Sequence, residues 1–321
     1  MDQSEIILIN KARDFFSRKK FNEALENFSK AIEVNPSNSL TFNERGKIYE
    51  RLRKNNLAFT DYSKAIEINP KFADAFKNRG DIRNKFQEFQ LAIEDYSEAI
   101  AINSKLVSAY NNRGLAKKMI DDLDGAESDF SIAIKLKPNF TSPYSNRGLI
   151  KDMRGDIKGA INDYTKAIEL NPKFATAFNN RGIAREKLKE FELSISDFTK
   201  AIAINKKFAN AYSNRAISKI KIKDYSSALE DLNLAIEISP NFAMPYLNRG
   251  VFKQEILKEY DNALSDINKA IELNSKYANA YYQRSTIKKE MGDSESYLSD
   301  INHAASLGHS KSLDILREIN I

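Results

Sequence analysis

The sequence predicts an all-α solenoid, a single array of short helix pairs that share one repeating period. Three observations predict it. An Arg, usually inside Asn-Arg-Gly or a close variant, recurs at Arg45, Arg79, Arg113, Arg147, Arg181, Arg215, Arg249 and Arg284, in steps of 34 and a last step of 35. Ala fills one equivalent place in every period, from Ala31 and Ala65 through to Ala270 and Ala304. Each period also splits into two helical stretches separated by turn residues. A fixed period of this length marks stacked supersecondary units, none of which buries its apolar face alone.

Lys11 stands one period before Arg45, so nine repeats run over about 5–38, 39–72, 73–106, 107–140, 141–174, 175–208, 209–242, 243–277 and 278–311. The fifth repeat shows how each is built. Pro143 sits in the first turn of a helix A, where its missing N–H costs nothing, and that helix reaches about Met153 before the turn Gly155-Asp156. Helix B runs from about Ile157 to Leu170, with Ile157, Ala160, Ile161, Tyr164, Ala167 and Ile168 on one face. Asn171-Pro172 ends it, because the residue before Pro is pushed out of the α region.

Gly46, Gly80, Gly114, Gly148, Gly182 and Gly250 share a helix-A site with Ala12, Ala216 and Ser285. Gly there costs about 1 kcal/mol of helix propensity relative to Ala, so close backbone packing is the reason expected for it. Repeat nine is degenerate at Tyr297, Ala305 and His309, and 310–319 reads as a C-terminal capping helix. Its Leu313 and Leu316 are expected to cover the last repeat while Lys311, Asp314, Arg317 and Glu318 face water.

Hydrophobic residues make up 42% and charged residues 29%, a folded and not a disordered composition. There is no Cys, which excludes disulfide and thiolate chemistry. The N-terminus, Met1-Asp2-Gln3-Ser4-Glu5, lacks a basic and apolar leader, and no segment reaches membrane-spanning length, so the expectation is a cytoplasmic protein without membrane insertion. The net charge of +6 reads as a Lys-rich solvated surface.

The recurring Arg has a recurring partner. Asp61, Asp95, Asp129, Asp163, Asp197, Asp231, Asp266 and Asp300 each occur once in the Arg-bearing repeats, on helix B, and the first repeat loses both members together, with Lys11 and Asn27 in their places. That joint change predicts an Arg–carboxylate pair inside each repeat, and it sets these Arg residues aside as ligand readers.

The order of small, aromatic and Pro positions resembles the tetratricopeptide repeat over nearly the whole chain. The chain departs from that family's pattern in three ways, one of them the recurring Arg where the pattern has Leu. Its Trp is replaced by Phe42, Phe76, Tyr110, Tyr144, Phe178, Tyr212, Tyr246 and Tyr281, and a helix-A Tyr by Arg83, Lys117, Lys151 and Arg185. The resemblance implies a right-handed superhelical solenoid whose A helices line a concave groove, and a protein that works as a protein–protein interaction scaffold.

In that groove, the residue before each Arg forms a row: Asn78, Asn112, Asn146, Asn180, Asn214 and Asn248. A carboxamide both donates and accepts, so such a ladder could hold the main chain of an extended peptide. Equally, Asn at this place could cap or bridge neighbouring helices. Asn111, Leu115, Ser145, Leu149, Asn179, Ile183, Ser213 and Ile217 complete the expected lining, a mixture of small polar and apolar groups. Toward the N-terminus, Lys47, Glu50, Arg51, Asp74, Lys77, Asp81 and Lys85 give mixed charge instead. Family members that grip a C-terminal carboxylate use Lys and Arg at set positions, where this chain has Leu40, Asp74, Ser108, Ser142, Thr176 and Asn210, so that clamp is missing.

The expected partner is therefore a protein or peptide. A helical-repeat RNA binder is the first alternative, but the neutral groove of repeats four to eight argues against nucleic acid. Self-association through the ends or outer face is the second. No cofactor and no metal site is expected, since His303 and His309 stand alone without Cys, and no catalytic set of side chains points to an enzyme. Arg154-Gly155-Asp156 reads as a turn, and the clusters Arg18-Lys19-Lys20 and Arg51, Arg53, Lys54 as solvated helix ends.

Overall fold

Each period supplies two runs of helix-forming residues and two breaks, and a computed structural model that describes residues 3–319 shows helices at those runs. Met1 and Asp2, part of the expected leaderless terminus, lie outside the described residues. Among the described residues there are nineteen α-helices, one π-helical turn and no strand. The chain divides into two compact units, Met1–Asp156 and Ile157–Ile321.

The first unit holds α1 (Gln3–Ser17), α2 (Phe21–Val34), α3 (Ser39–Arg51), α4 (Asn55–Ile68), α5 (Ala73–Lys85), α6 (Phe89–Ile102), α7 (Val107–Met119), α8 (Leu123–Leu136) and α9 (Thr141–Met153). The second holds α10 (Ile157–Leu170), α11 (Ala175–Lys187), α12 (Phe191–Ile204), α13 (Ala209–Lys221), α14 (Tyr225–Ile238), α15 (Ala243–Phe252), a π turn (Lys253–Leu257), α16 (Tyr260–Leu273), α17 (Ala278–Glu290), α18 (Ser294–Ser306) and α19 (Ser310–Ile319). Within each unit, helices pack on their sequence neighbours, so odd-numbered A helices alternate with B helices up to the π turn and beyond.

Two turn designs repeat. Helix A closes through one left-handed residue, such as Arg53 (φ 58°), Gln87 (φ 63°) or Lys223 (φ 64°). The next N–H then reaches back five residues, as Lys54 does to the Tyr49 carbonyl at 2.8 Å and Glu88 to that of Arg83 at 2.9 Å. Gly155 (φ 83°) takes this place in the Arg-Gly-Asp turn, where Gly carries no Cβ penalty. Arg154 there pairs with Asp124 and Glu127. Helix B closes through Asn, whose side chain accepts from the backbone two residues on: Asn69 from Lys71 and Asn171 from Lys173, both at 3.0 Å.

The core is a row of Ala with one large side chain per pair. Ala58, Tyr62 and Ile82 form one cluster, Ala92, Tyr96 and Ala116 the next, and Ala126, Phe130 and Ile150 a third, all fully buried. The invariantly small helix-A site lies under that large side chain. A Cβ added at Gly114 would stand 2.7 Å from the Phe130 ring, at Gly46 2.7 Å from Tyr62, and at Gly182 2.7 Å from Phe198. Where the site is Ala216, the residue above it is the smaller Leu232. Helix propensity is given up so that the ring can be buried, and burial of such a side chain is worth about 1.5–3 kcal/mol.

The capping helix α19 differs in detail from expectation. Lys311, Asp314, Arg317 and Glu318 are exposed as read, but so is Leu313; Ser312 is buried and Ile315 and Leu316 half-buried. The helix is rotated because His309 caps it. The His309 Nδ1 accepts from the Ser312 N–H at 3.3 Å and meets its hydroxyl at 2.9 Å, and the ring stacks on Tyr282 with centroids 4.4 Å apart. Burial first, then the Lys311 charge, pushes the His309 pKa below its ordinary value.

Gly114→Ala is expected to destabilise the chain by about 1–3 kcal/mol in urea unfolding, overpacking outweighing the gain in propensity. Adding Phe130→Leu, which copies the Ala216–Leu232 combination, should recover part of that loss. Because the His309 pKa is depressed, its cap contributes above the unfolded His value, about 6.5, and is lost as pH falls through the folded value. Protection factors of the α19 amides should therefore fall selectively below about pH 6.5, and His309→Asn, which caps without titrating, should remove the dependence.

Candidate functional site

The expected Arg–Asp pair is present and is bidentate. Arg113 Nε and Nη2 donate to the two Asp129 oxygens at 2.9 and 2.7 Å; Arg215 does the same to Asp231 at 2.8 and 2.6 Å, and Arg181 to Asp197 at 2.9 and 2.7 Å. The remaining nitrogen crosses to the B helix of the preceding pair, from Arg113 to Ser97 at 3.0 Å and from Arg215 to Thr199 at 3.1 Å. Below, the guanidinium lies over the aromatic that replaces Trp, 5.6 Å from Tyr110 and 5.5 Å from Tyr212. One Arg thus ties together three helices. The acceptors Ser29, Ser97, Ser131, Thr165, Thr199, Asn233 and Asn268 each stand 16 residues before their Arg, a recurrence legible in the sequence but missed there.

The lost Tyr acquires a reason. Lys117 reaches Asp129 at 2.9 Å, Arg185 reaches Asp197 at 2.7 Å and Lys288 reaches Asp300 at 2.9 Å, so most of these buried carboxylates hold two cations. Asp61 holds one, because Tyr49 keeps the family residue. The electrostatics follow. Burial raises Asp61, and the Arg45 bond does not cancel it; at Asp300 burial acts the same way but Arg284 and Lys288 together bring the group below the ordinary carboxylate range.

On the A-helix face beside these hubs lie the predicted site residues. Asn112 and Asn146 in the first unit, and Asn180, Asn214 and Asn248 in the second, are half-buried, whereas Asn78 is buried. Most of these carboxamides reach back to the preceding A helix. Asn78 donates to Asn43 at 2.8 Å, Asn112 to Asp81 at 2.8 Å, Asn146 to Asn111 at 3.0 Å, Asn214 to Asn179 at 3.1 Å and Asn248 to Ser213 at 2.9 Å. Asn180 accepts from its neighbour Asn179 at 3.4 Å.

The residues expected as groove lining therefore divide in two. Asn111, Ser145, Asn179 and Ser213 are buried, and Asn111, Asn179 and Ser213 receive these bonds; Leu115, Leu149, Ile183 and Ile217 stay half-exposed beside the carboxamides. Each amide NH2 that donates to a neighbouring helix uses one of its two hydrogens, so one N–H and the carbonyl oxygen's remaining lone pairs can still serve another partner.

The N-terminal part of the face is built otherwise. A cavity of about 710 Å³ is lined by Phe16, Lys47, Glu50, Arg51, Arg53, Asn55, Lys77, Asn78, Asp81 and Lys85. Its carboxylates are held from beneath by buried phenols, Tyr62 on Glu50 at 3.0 Å and Tyr96 on Asp81 at 2.8 Å, an arrangement the sequence did not disclose. Among the described residues, no group of three His, Cys, Asp or Glu could hold a metal ion, and no helix is long and apolar enough to cross a membrane. His303 and His309 lie against Tyr281 and Tyr282.

Two family models match the chain. One described as TPR repeat covers residues 12–52, 80–120 and 153–189; one described as Tetratricopeptide repeat covers 41–72, 175–208 and 209–242, and together they span more than half of the chain. No curated protein matches. Among solved structures, the APC/C hetero-tetramer Cut9-Hcn1 is similar at 13% identity and TM-score 0.64, over 98% of this chain and 76% of that one. A tetratricopeptide repeat protein from Parabacteroides merdae is similar at 21% and 0.59, over 79% and 97%, and pilF of Pseudomonas aeruginosa at 16% and 0.54, over 66% and 97%. At these identities the likeness is one of fold.

With two cations on it, Asp300 stabilises the fold above the unfolded carboxylate value, about 3.9, and loses that contribution as pH falls through its lower folded value. Asp61 has the opposite sign: its raised pKa means that ionisation opposes folding, so its contribution falls as pH rises through that value. Side-chain carboxylate NMR should find the Asp300 midpoint below, and the Asp61 midpoint above, the ordinary value of an exposed carboxylate, about 3.9.

Proposed function

The chain belongs to the tetratricopeptide repeat family, and from that premise we propose that it is a non-catalytic scaffold that binds an extended segment of a partner protein along the face of its A helices. Membership of the family supports the protein–protein role. The finer reading rests on one observation: the half-buried carboxamides of that face are held at fixed positions by hydrogen bonds between A helices, beside half-exposed Leu115, Leu149, Ile183 and Ile217. Groups fixed in advance lose little conformational freedom on binding, which favours affinity without new contacts. The spare N–H and carbonyl of each carboxamide suit the alternating donors and acceptors of a peptide backbone, while the aliphatic side chains suit its apolar side groups. The nine-repeat array and the capping helix belong to the same proposal, each unit carrying its own part of the row.

Ligand role and helix-bridging role make different predictions. Asn146→Ala/Asn180→Ala/Asn214→Ala should abolish capture of end-blocked peptides selected on the wild-type protein from a random library. Asn111→Ala/Asn179→Ala removes two of the bridging acceptors but keeps the row, so it should lower the melting temperature, at about 0.5–1.5 kcal/mol per bond, and weaken capture without abolishing it. If both variants lose capture in proportion to their loss of stability, the row is structural and the binding reading fails.

A further inference from the structure

The charged cavity on the first unit differs from the neutral face in what it can recognise. By composition it looks mixed, with Lys47, Arg51, Arg53, Lys77 and Lys85 against Glu50 and Asp81. Its hydrogen bonds resolve the mixture. Glu50 accepts from Tyr62 on one oxygen and from Lys85 at 2.7 Å on the other. Asp81 accepts from Tyr96 and Asn112 on one oxygen and from Lys77 at 3.0 Å on the other. Both oxygens of each carboxylate are thus engaged from within the protein. The third nearby acid, Glu44, is taken by Lys47 at 2.7 Å.

Two kinds of capacity are left over. Each of the three Lys ammonium groups has three N–H donors and uses one on its acid. Arg51 and Arg53 are exposed at the end of α3 and carry no ion pair among the described residues. A guanidinium is a planar fork matched to a carboxylate, and two exposed ones in the lining of a positively biased cavity are complementary to anionic side chains. These paired acids repel such a ligand less than free carboxylates would, because each already faces its own cation.

We propose that this cavity receives an acidic stretch of a partner protein, an internal run of Asp or Glu side chains, with the exposed Arg51 and Arg53 as its principal contacts and Lys47, Lys77 and Lys85 completing the lining. The inference rests on the A-helix face being a binding face, but it concerns residues apart from the Asn146, Asn180 and Asn214 row, so either can fail alone. Peptide is favoured over nucleic acid because stacking groups are scarce: Phe16 is the only aromatic ring in the lining.

The test uses the full chain and fluorescence anisotropy with two labelled, end-blocked probes, hexaglutamate and hexaglutamine. Hexaglutamate should bind at least about tenfold tighter, and more weakly as salt rises, as screening requires. Arg51→Glu/Arg53→Glu should remove that preference, and Arg51→Gln/Arg53→Gln should weaken it in the same direction should the first variant unfold. Lys221→Glu/Lys223→Glu, the same charge reversal on the second unit, should leave binding unchanged. Equal binding of the two probes, or hexaglutamate binding untouched by the Arg51 and Arg53 changes, overturns the proposal. So does tighter binding of a single-stranded oligonucleotide through the same two Arg residues.

Discussion

A buried carboxylate is the constraint around which the rest of each repeat is arranged. Removed from water alone, an Asp on helix B would be strongly destabilising, and a single cation at the edge of the core repays that cost only with near-ideal geometry. The chain supplies that geometry with a side-on bidentate Arg, whose third nitrogen and ring contact it then uses to bind the preceding B helix and its own helix A. The same group that neutralises the Asp therefore sets the distance between neighbouring pairs. In most repeats a second cation, one turn further along helix A, completes the neutralisation, as Lys117 does at Asp129. The hub occurs in both units with nearly the same distances, at Arg79–Asp95 in the first and Arg284–Asp300 in the second.

Once the hub fixes spacing, the other periodic features follow from what that spacing leaves. Helices A and B approach closely enough that the site facing Tyr62, Tyr96, Phe130 or Phe198 has no room for a Cβ. Adjacent A helices approach closely enough for a carboxamide to bridge them, and the bridge connects residues 35 apart, as in Asn146 to Asn111 and Asn214 to Asn179. At Asn112 the acceptor changes: its carboxamide turns to Asp81 and not to Lys77, which stands where other repeats have Asn43, Asn111, Ser145, Asn179 and Ser213. The neutral and charged parts of the A-helix face are thus two outcomes of one register.

Much of this was legible because it is periodic. The helix pairs, the Arg–Asp pairing and the need for a small residue at the Gly114 position all recur, and recurrence in one sequence carries the information that an alignment would. What stayed hidden depends on direction in space. Whether Asn146 faces a ligand or a neighbouring helix is a matter of side-chain rotation that composition does not encode, and the bond to Asn111 requires knowing that residues 35 apart lie side by side. The N-terminal cavity was read as mixed charge because a list of residues cannot show that Tyr62 and Tyr96 bond its acids from beneath. Leu313 was placed inward by helical spacing alone, whereas the cap formed by His309 turns Ser312 inward instead.

The one irregular repeat shows which constraint is dominant. The eighth carries an extra residue, and by sequence it falls near Lys258-Glu259, where a longer loop would be the simplest accommodation. Instead helix A widens into the π turn Lys253–Leu257, Lys258 closes it at φ 59°, and the Glu259 N–H returns to the Lys253 carbonyl at 3.0 Å. The insertion lies between Arg249 and Asp266, which are 17 residues apart where other hubs are 16. Their bonds are nonetheless 2.9 and 2.6 Å, and Lys253 still reaches Asp266 at 2.8 Å. A π turn sacrifices regular i to i−4 bonding, which is why such turns are rare. The backbone adopts it here while the ion pair keeps its geometry, so the energetic ordering is set: a strained turn costs less than a buried Asp266 without its two cations.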